Sequence, residues 1–335
     1  MTQPVALDIT SLLRELGRGA RTARSLSREQ ARGLFAAMLA GDIDELRLGA
    51  LLIAYRIKGE TAAELAGMLD AAQATLTPLP LPTMSSAPVV IASYNGARRM
   101  PNLVPLLALS LAARGVPVLV HGDAADGHGR ISSASVFAEL GVRACTSLPM
   151  AAAALEAERF AFVPIDVLSP ALLRLLALRE RVALRNSAHT VAKLLNPFAA
   201  PVLRMVNYTH PPYRDTLFEL FNTQAPPSAP GVLLARGTEG EATADPRRQV
   251  AVEWLADGVA RTVIEAAYGD ADAAVPLPET DAASTARWIE RALAGGVAIP
   301  TTLQQQIDTI AALCAAERRQ GRTLENGGAS RRLSP

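Results

Sequence analysis

The feature that most constrains the fold is a repeated strand–loop–helix order that begins at Val89. Val89–Ser93 is a short apolar segment of strand character, followed by a loop and by a helical pattern over 102–114 that ends at Gly115. The same order predicts further strands at 116–121, 160–163, 202–208 and 231–235, and helices at 132–140, from Pro170 and from Tyr213. Alternation of this kind is typical of a parallel sheet with crossover helices.

The segment before this pattern predicts helices only. Ser27 stands three residues before Gln30, and Thr61 three residues before Glu64, and both pairs have the form of a capping box at a helix N-terminus. A helix is expected between them over 44–58, closed by Gly59. Prolines at 78, 80 and 82 then exclude a helix and mark a linker.

The predicted fold class is α/β, with a small N-terminal helical domain and a larger α/β domain whose central sheet is mainly parallel. The helical domain covers 1–80 and is completed by helices around 168–198, the discontinuous α/β domain covers 86–324, and 325–335 form a disordered tail. Ligands of open α/β sheets bind in the loops that follow the carboxyl ends of strands. We therefore expect a site in the loops 94–101, 122–130 and 236–248.

Composition and charge limit the classes of protein to which this chain can belong. The N-terminus lacks the charged-then-apolar pattern of a leader, and the longest apolar runs are about half of a membrane span. Cys145 and Cys314 are far apart, which favours reduced thiols in a cytoplasmic protein. The net charge of +1 argues against a strongly basic nucleic-acid binder. However, cations concentrate in 170–215 and acids in 253–290, and such segregation builds one positive surface on a neutral molecule.

Several stretches resemble a known family. They are Ala54-Tyr-Arg-Ile-Lys-Gly-Glu-Thr-Ala-Ala-Glu-Leu-Ala-Gly, Ala113-Arg-Gly-Val-Pro-Val-Leu-Val-His-Gly and His189-Thr-Val-Ala-Lys-Leu-Leu-Asn-Pro-Phe. In this order they resemble the anthranilate phosphoribosyltransferase and nucleoside phosphorylase superfamily, glycosyltransferase family 3. The resemblance covers the chain from Leu26 to about Pro246 and implies an anthranilate phosphoribosyltransferase-like fold.

The phosphate motifs of that family are altered in this chain. The family cradles diphosphate in a Gly-Thr-Gly-Gly-Asp-Gly loop, where this chain has Ala92-Ser-Tyr-Asn-Gly-Ala. The family holds magnesium with an adjacent Asp-Glu pair, whereas Glu239 and Glu241 are separated and more simply form a solvated acidic turn. We therefore expect no metal, no cofactor and no phosphoribosyl transfer to anthranilate. Whether the chain is an enzyme stays open; an active form would be another pentosyltransferase.

The altered segments have their own resemblance. They resemble the non-biosynthetic branch of the family typified by the DNA-binding protein YbiB, and they are Tyr94-Asn-Gly-Ala-Arg-Arg, Arg185-Asn-Ser-Ala-His-Thr, Tyr208-Thr-His-Pro-Pro-Tyr-Arg and Gly237-Thr-Glu-Gly-Glu. This resemblance implies a homodimer that binds DNA or another nucleic acid through backbone phosphate, with little sequence preference and no membrane partner. The alternatives are a phosphoribosyltransferase or glycosyltransferase with an unidentified acceptor, and a scaffold or ligand sensor. The expected dimer contact is an apolar stripe of Leu46, Leu48, Leu51, Leu52 and Tyr55.

Arginines beside a helix N-terminus form a natural phosphate site, because cationic side chains and free N–H groups converge there. Arg98 and Arg99 stand just before the helix expected from Asn102; a solvated arginine pair is the alternative. Tyr94 either stacks on a base or packs on its own loop, and Lys193 either contacts phosphate or lies along the surface. The candidate phosphate-binding residues are Tyr94, Asn95, Arg98, Arg99, Asn102, Arg185, Lys193, Arg204, Arg214, Arg247 and Arg248.

The remaining motifs give little indication of function. The 122–129 loop has two glycines at P-loop separation, but His128 and Gly129 replace the lysine and the hydroxyl residue, so we reject a P-loop. The histidines lack metal-ligand spacing. No local Ser-His-Asp or Cys-His arrangement is present, and we assign no catalytic residue.

Overall fold

The computed structural model describes residues 8–19, 22–83, 86–224, 230–256, 258–267 and 275–329. Four helices come first: α1 (Ile9–Leu16), α2 (Arg28–Ala40), α3 (Glu45–Lys58) and α4 (Ala62–Gln73). Both predicted capping boxes are confirmed, since Ser27 caps α2 together with Gln30 and Thr61 caps α4 together with Glu64. A cap satisfies N–H groups that have no partner inside the helix, and so fixes where each helix begins.

A central sheet follows. Its strands are β1 (Val89–Ser93), β2 (Val118–Gly122), β3 (Phe160–Pro164), β4 (Leu203–Tyr208), β5 (Val232–Arg236), β6 (Val252–Ala256) and β7 (Val259–Ile264). They lie in the order β3-β2-β1-β4-β5-β6-β7. β1 to β5 pair in parallel, which confirms the mainly parallel sheet, and β6 and β7 add an antiparallel edge. The sequence did not predict that edge, because most of β7 is exposed and forms no apolar run.

Helices join and cover the strands. They are α5 (Val104–Ala113), α6 (Ser133–Glu139), α7 (Leu148–Glu158), α8 (Ile165–Leu168), α9 (Pro170–Val182), α10 (Ser187–Ala192), α11 (Pro211–Glu219), α12 (Ala282–Leu293) and α13 (Thr301–Ala329). A π-helical turn, Leu220–Gln224, extends α11. The last helix, α13, ends at Ala329. The disordered tail expected over 325–335 stays a prediction, and its part beyond Ala329 lies outside the described residues. Within the described residues, no helix combines the length and the apolar character that crossing a membrane requires.

The sheet is buried on both faces. Val90 and Ala92 of β1 belong to the core shared with the N-terminal helices, whereas Val89 and Ile91 belong to the core shared with α5, α12 and α13. Side chains alternate across a strand, so a strand covered on both faces must be apolar throughout. The α9 helix joins the N-terminal layer, where Arg174 donates from Nη2 to the Leu39 carbonyl at 2.7 Å. The loops after β1, β2, β4 and β5 therefore emerge at one edge of the sheet, the carboxyl edge.

A buried charge pair joins three segments of the N-terminal layer. Glu64 is 0% exposed. Its Oε1 accepts from the Leu26 N–H at 2.9 Å, and its Oε2 accepts from Lys58 Nζ at 2.6 Å and from the Thr61 N–H at 2.9 Å. If the carboxylate were removed, the Leu26 and Thr61 N–H groups would lose this acceptor. Lys58 would keep its hydrogen bonds to the Gly59 carbonyl and the Ser25 hydroxyl but would lose its counter-ion.

Replacing Glu64 with alanine is expected to lower the free energy of unfolding by about 3–5 kcal/mol, since the change leaves Lys58 buried without its counter-ion. Glu290→Ala, on the exposed side of α12, is the matched control and is expected to change it by about 0.5 kcal/mol or less. Urea unfolding followed by circular dichroism measures both. Equal midpoints for the two variants would show that the pair does not stabilise the layer.

Candidate functional site

Two carboxylates from the loop after β5 bind the backbone of the loop after β1. Glu241 Oε1 accepts from the N–H groups of Asn95 at 2.7 Å and of Gly96 at 2.6 Å. Glu239 accepts from Arg98 N–H at 2.6 Å through Oε2, and from Arg99 N–H at 2.8 Å through Oε1. Each carboxylate thus takes one pair of adjacent amides. Successive N–H groups that converge in a loop form an anion-binding concavity, and here the chain fills it with its own anions.

The sequence interpretation of these glutamates as a solvated acidic turn is wrong. Glu241 is 2% exposed, and only 15% of the Glu239 side chain is exposed, beside Arg130 Nη1 at 3.4 Å. Their partners lie on a strand–loop segment more than a hundred residues away along the chain. Local alternation of charge cannot reveal a contact of that range.

The turn that carries the two glutamates is tight. Thr238 and Glu241 exchange backbone hydrogen bonds of 3.1 and 2.9 Å across Glu239 and Gly240. Both residues of the turn have positive φ, 53° at Glu239 and 89° at Gly240, as in a type I′ turn. A Cβ on Gly240 would lie 1.6 Å from Asn95 Nδ2, so only glycine allows the turn to approach the β1 loop this closely.

The two glutamates do not fit a magnesium ion. Three of their four oxygens accept from backbone N–H groups. Glu241 Oε2 is the one oxygen of the pair that accepts from none, whereas magnesium takes an octahedral set of oxygen ligands. Among the residues that the structure describes, no group of three or more His, Cys, Asp or Glu side chains is placed to hold a metal. A magnesium site like that implied by the family resemblance would need a different carboxylate arrangement at this position.

Tyr94 and Asn102, which the sequence predicts to contact nucleic acid, are both buried. Tyr94 is 5% exposed, and its hydroxyl hydrogen bonds to His121 Nδ1 at 2.7 Å, so its ring is not available to a base. Burial lowers the pKa of His121 to about 3, which keeps this partner neutral. Asn102 is 1% exposed and donates to the Ile131 carbonyl at 3.1 Å. Both side chains hold the loops of the carboxyl edge together.

Four of the arginines predicted to contact phosphate are buried or paired with acidic side chains. Arg204 is 8% exposed, donates to the Leu194 carbonyl at 2.9 Å and lies over the Phe221 ring, and burial lowers its pKa to about 10. Arg214 binds both oxygens of Glu253. The other two, Arg247 and Arg248, share Asp245 at 3.1 and 3.4 Å. A buried or ion-paired guanidinium is a poor phosphate ligand, because binding would first have to break these contacts.

A cleft of about 230 Å³ lies where the carboxyl edge faces the N-terminal helices. It contains Asn95, Arg185, His189 and Lys193. Arg185 Nη1 donates to Asn95 Oδ1 at 2.6 Å, and Lys193 Nζ donates to the Gly240 carbonyl at 3.3 Å. Burial lowers the pKa of Lys193 to about 8 against the opposing effect of Glu241, and burial followed by the charge of Arg185 lowers that of His189 to about 3. Arg185, Lys193 and Arg56 are the cationic groups of the cleft, and Glu60 is its carboxyl group, whose pKa is raised by burial.

The turn at 238–241 brings the cleft and the Arg98–Arg99 loop together. Glu239 holds the amides of Arg98 and Arg99, and the next residue, Gly240, accepts from Lys193. The Arg98 and Arg99 side chains are exposed, and within the described part of the chain neither guanidinium has a hydrogen-bond or ion-pair partner. The turn thus contacts the backbone of the Arg98–Arg99 loop on one side and Lys193 of the cleft on the other.

Sequence reasoning missed Arg130 and Asp123. Arg130 Nη1 donates to the Gly96 carbonyl at 3.0 Å and lies beside Glu239. Asp123 follows β2 and is half-buried; burial, followed by repulsion from Glu241, raises its pKa to about 6, against the attraction of Arg185, Arg179 and Lys193. Their position could have identified them as site residues, since both belong to the 122–130 loop at the carboxyl edge of the sheet.

Asp123→Asn is expected to weaken the pH dependence of the unfolding free energy. The pKa of Asp123 rises from 3.8 unfolded to about 6 folded, so ionisation favours the unfolded chain and stability falls as pH rises through this window. The full shift corresponds to about 3 kcal/mol, which partial solvent contact reduces to roughly 1–2 kcal/mol. Urea unfolding at about pH 4 and about pH 7.5 should show the variant gaining that amount over wild type at the higher pH. The exposed Asp166→Asn is the control, and an identical pH profile for both variants would contradict the assignment.

Comparisons with known proteins agree with this architecture. Residues 10–75 match the model of the glycosyl transferase family, helical bundle domain. YbiB of Escherichia coli is 38% identical over 323 residues, which cover 96% of this chain and 98% of YbiB. The anthranilate phosphoribosyltransferase of Pyrobaculum aerophilum is 31% identical over 191 residues, which cover 57% of this chain and 55% of that enzyme.

Solved structures share the fold along nearly the whole chain. The anthranilate phosphoribosyltransferase of Thermus thermophilus superposes with a TM-score of 0.70 at 22% identity, covering 96% of this chain and 92% of the enzyme. The Saccharomyces cerevisiae enzyme in complex with PRPP and Mg superposes with a TM-score of 0.68 at 13% identity, covering 95% and 96%. The chain therefore belongs to the anthranilate phosphoribosyltransferase-like family, glycosyltransferase family 3, with YbiB as a relative over nearly its full length.

Proposed function

We propose that this protein binds nucleic acid, DNA in the first place, through backbone phosphates and with little sequence preference. The observation that carries the proposal is the exposed pair Arg98 and Arg99, whose guanidinium groups have no ion-pair partner among the described residues. Their loop contacts the same turn as Lys193 of the cleft. Glu239 fixes the backbone of the arginine pair, so the two side chains extend from an ordered loop. A loop whose backbone is already fixed loses less entropy when its side chains bind phosphate.

The geometry supports positioning rather than reading of bases. The buried Tyr94 offers no stacking surface, and the remaining cations are suited to phosphate oxygens. Contacts to phosphate fix the register of a nucleic acid but carry no sequence information. The resemblance of this chain to YbiB supports the same proposal, since the implied function of that branch is binding of DNA with little sequence preference.

Phosphoribosyl transfer has less support. The amides of the β1 loop that would hold a diphosphate are bound to Glu239 and Glu241, and the same oxygens do not fit magnesium. Stabilisation of a departing diphosphate needs both donors and metal charge. No observation favours a transferase with another acceptor.

The double change Arg98→Ala and Arg99→Ala is expected to weaken binding of every oligonucleotide alike, by about tenfold or more at low salt, and to flatten the salt dependence by about two units, because each lost phosphate contact releases about one counterion fewer. Fluorescence anisotropy with labelled oligonucleotides of two unrelated sequences, at about 50 and 200 mM salt, measures this. The matched control is Arg247→Ala with Arg248→Ala, whose guanidiniums are paired with Asp245. Salt-independent binding, or equal losses in both double variants, would place the site elsewhere.

We also propose that the protein is a homodimer through α1 and α3. Of the predicted stripe, Leu51, Leu52 and Tyr55 are core residues with 2% exposure or less. The outer face of α3 instead offers Leu46, 84% exposed, and Ile57, 62% exposed. Both line an open apolar groove between the two helices, together with Leu13, Gly49, Ala50 and Ile53. An apolar face of this kind is typical of an interface.

Wild type is expected to sediment as a dimer at micromolar concentration, and Leu46→Glu with Ile57→Glu as a folded monomer, because two buried carboxylates in each copy cannot be desolvated without partners. Leu293→Glu, at a side chain 42% exposed on α12, is the control and should remain dimeric. A monomeric wild type, or a dimeric double variant, would exclude this interface.

A further inference from the structure

An apolar pocket of about 520 Å³ lies beside β3, the strand at one end of the sheet. Phe160, Ala161 and Phe162 of β3 form its floor. Leu109 of α5 and Ala154 of α7 line it from opposite faces of the sheet. The volume is within the range of pockets that hold small molecules. The pocket shares no lining residue with the cleft at the carboxyl edge, so a ligand bound here would be separate from the site described above.

Backbone groups of β3 face the outer edge of the sheet without a partner. The Val118 N–H of β2 donates to the Arg159 carbonyl at 2.8 Å, so alternate residues of this segment pair with β2, and Phe160 and Phe162 direct their N–H and C=O groups outward. The Phe162 carbonyl accepts from the Cys145 N–H at 2.8 Å. Within the described residues, the Phe162 N–H and both backbone groups of Phe160 have no hydrogen-bond partner. A pocket with free donors in an apolar floor favours a ligand that carries an acceptor.

Two exposed arginines, Arg143 and Arg159, belong to the lining of the pocket. In the part of the chain that the structure describes, neither guanidinium has a hydrogen-bond or ion-pair partner. Among the described lining residues Glu158 supplies the one carboxylate, and it pairs with neither arginine, so the charge of the lining is positive. The Cys145 thiol adds no negative charge, because burial, followed by the charge of Glu158, raises its pKa.

The contact at Cys145 limits the kind of ligand. Since the Cys145 N–H holds the Phe162 carbonyl, the segment after α6 already lies along the outer edge of β3. A peptide that added a strand to β3 would need this carbonyl as well as the groups of Phe160, because strand addition pairs along the whole ladder. A compact molecule needs a single acceptor, and the arginines suit an anionic one.

We propose that this pocket binds a small apolar carboxylate, whose hydrocarbon part lies on β3 between α5 and α7 and whose carboxylate is held by Arg143 and Arg159. Removal of the hydrocarbon part from water stabilises the complex. Guanidinium groups bind carboxylates through short, charge-assisted hydrogen bonds, and the unpaired Phe162 N–H is a further donor in the pocket. The site does not involve the carboxyl edge, so the proposal holds whether or not the protein binds nucleic acid.

A variant that fills the pocket tests its place. Ala154→Trp puts a large ring at a small lining residue and is expected to weaken binding of octanoate, measured by isothermal titration of the full chain, by about tenfold or more. Ala153→Trp is the matched control, because this neighbouring alanine of α7 is exposed and does not line the pocket. Its affinity for octanoate should equal that of wild type. Circular dichroism verifies that both variants are folded.

A variant without the charge tests the class of ligand. Arg143→Gln with Arg159→Gln keeps the side-chain stems and is expected to lower octanoate affinity by about tenfold or more, since the charge-assisted hydrogen bonds are lost. Octanol, the neutral analogue, should bind wild type more weakly than octanoate does and should bind this double variant as well as wild type. Arg287→Gln with Arg291→Gln, at two exposed arginines of α12, controls for net charge and should behave as wild type.

Met150 reports where the ligand binds, because its side chain is 36% exposed and lines the pocket. NMR of isotope-labelled methionine methyl groups should show octanoate shifting the Met150 signal and leaving that of the buried Met205 of β4 unchanged. No saturable binding to wild type, equal affinities of Ala154→Trp and Ala153→Trp, or binding that leaves Met150 unshifted overturns the site. Equal losses in the two double arginine variants, or equal affinities of wild type for octanol and octanoate, overturn the carboxylate as its ligand.

Discussion

The contact of Glu239 and Glu241 with the backbone of the β1 loop determines the arrangement of the carboxyl edge. Each carboxylate accepts from two adjacent backbone N–H groups, and the two pairs stand side by side. Burial raises the pKa of Glu241, against the lowering effect of Lys193 and of the N–H groups that it accepts from. The two carboxylates join the loop after β1 to the loop after β5. Removing them would leave four amides without acceptors in a partly dry environment, at a cost comparable to several lost hydrogen bonds.

This contact sets the distribution of charge at the site. Inside the edge, Glu241 and Asp123 lie close to Lys193 and Arg185 and partly balance their charge. The Arg98 and Arg99 guanidiniums are left exposed outside the contact. A nearly neutral molecule can therefore present a cationic surface, because acidic side chains lie inside the edge while the Arg98 and Arg99 guanidiniums lie outside it. The overall net charge does not report this separation.

Because of the same contact, a chain with the fold of anthranilate phosphoribosyltransferases has a different set of groups at the carboxyl edge. The chain shares its fold with anthranilate phosphoribosyltransferases at TM-scores of 0.70 and 0.68. Amides at the end of β1 are available to an external anion only if the protein leaves them free, and in this chain its own side chains occupy them. A fold fixes where loops meet, while the side chains in those loops decide what can bind there.

The sequence by itself determined the helical caps, the boundaries of β1 and the α/β class, because these depend on local spacing and on the apolar period of each segment. It also identified Arg98 and Arg99 as exposed cations next to a strand end. Only the tertiary structure decided that Tyr94 and Arg204 are buried and that Glu239 and Glu241 are anion-site occupants. The β6–β7 edge was likewise undetermined, since its exposed residues lack an apolar run. The buried side chains contact residues that are distant in the chain, and β6 and β7 form a sheet edge by pairing with each other and with β5. A local sequence pattern does not encode contacts of this kind.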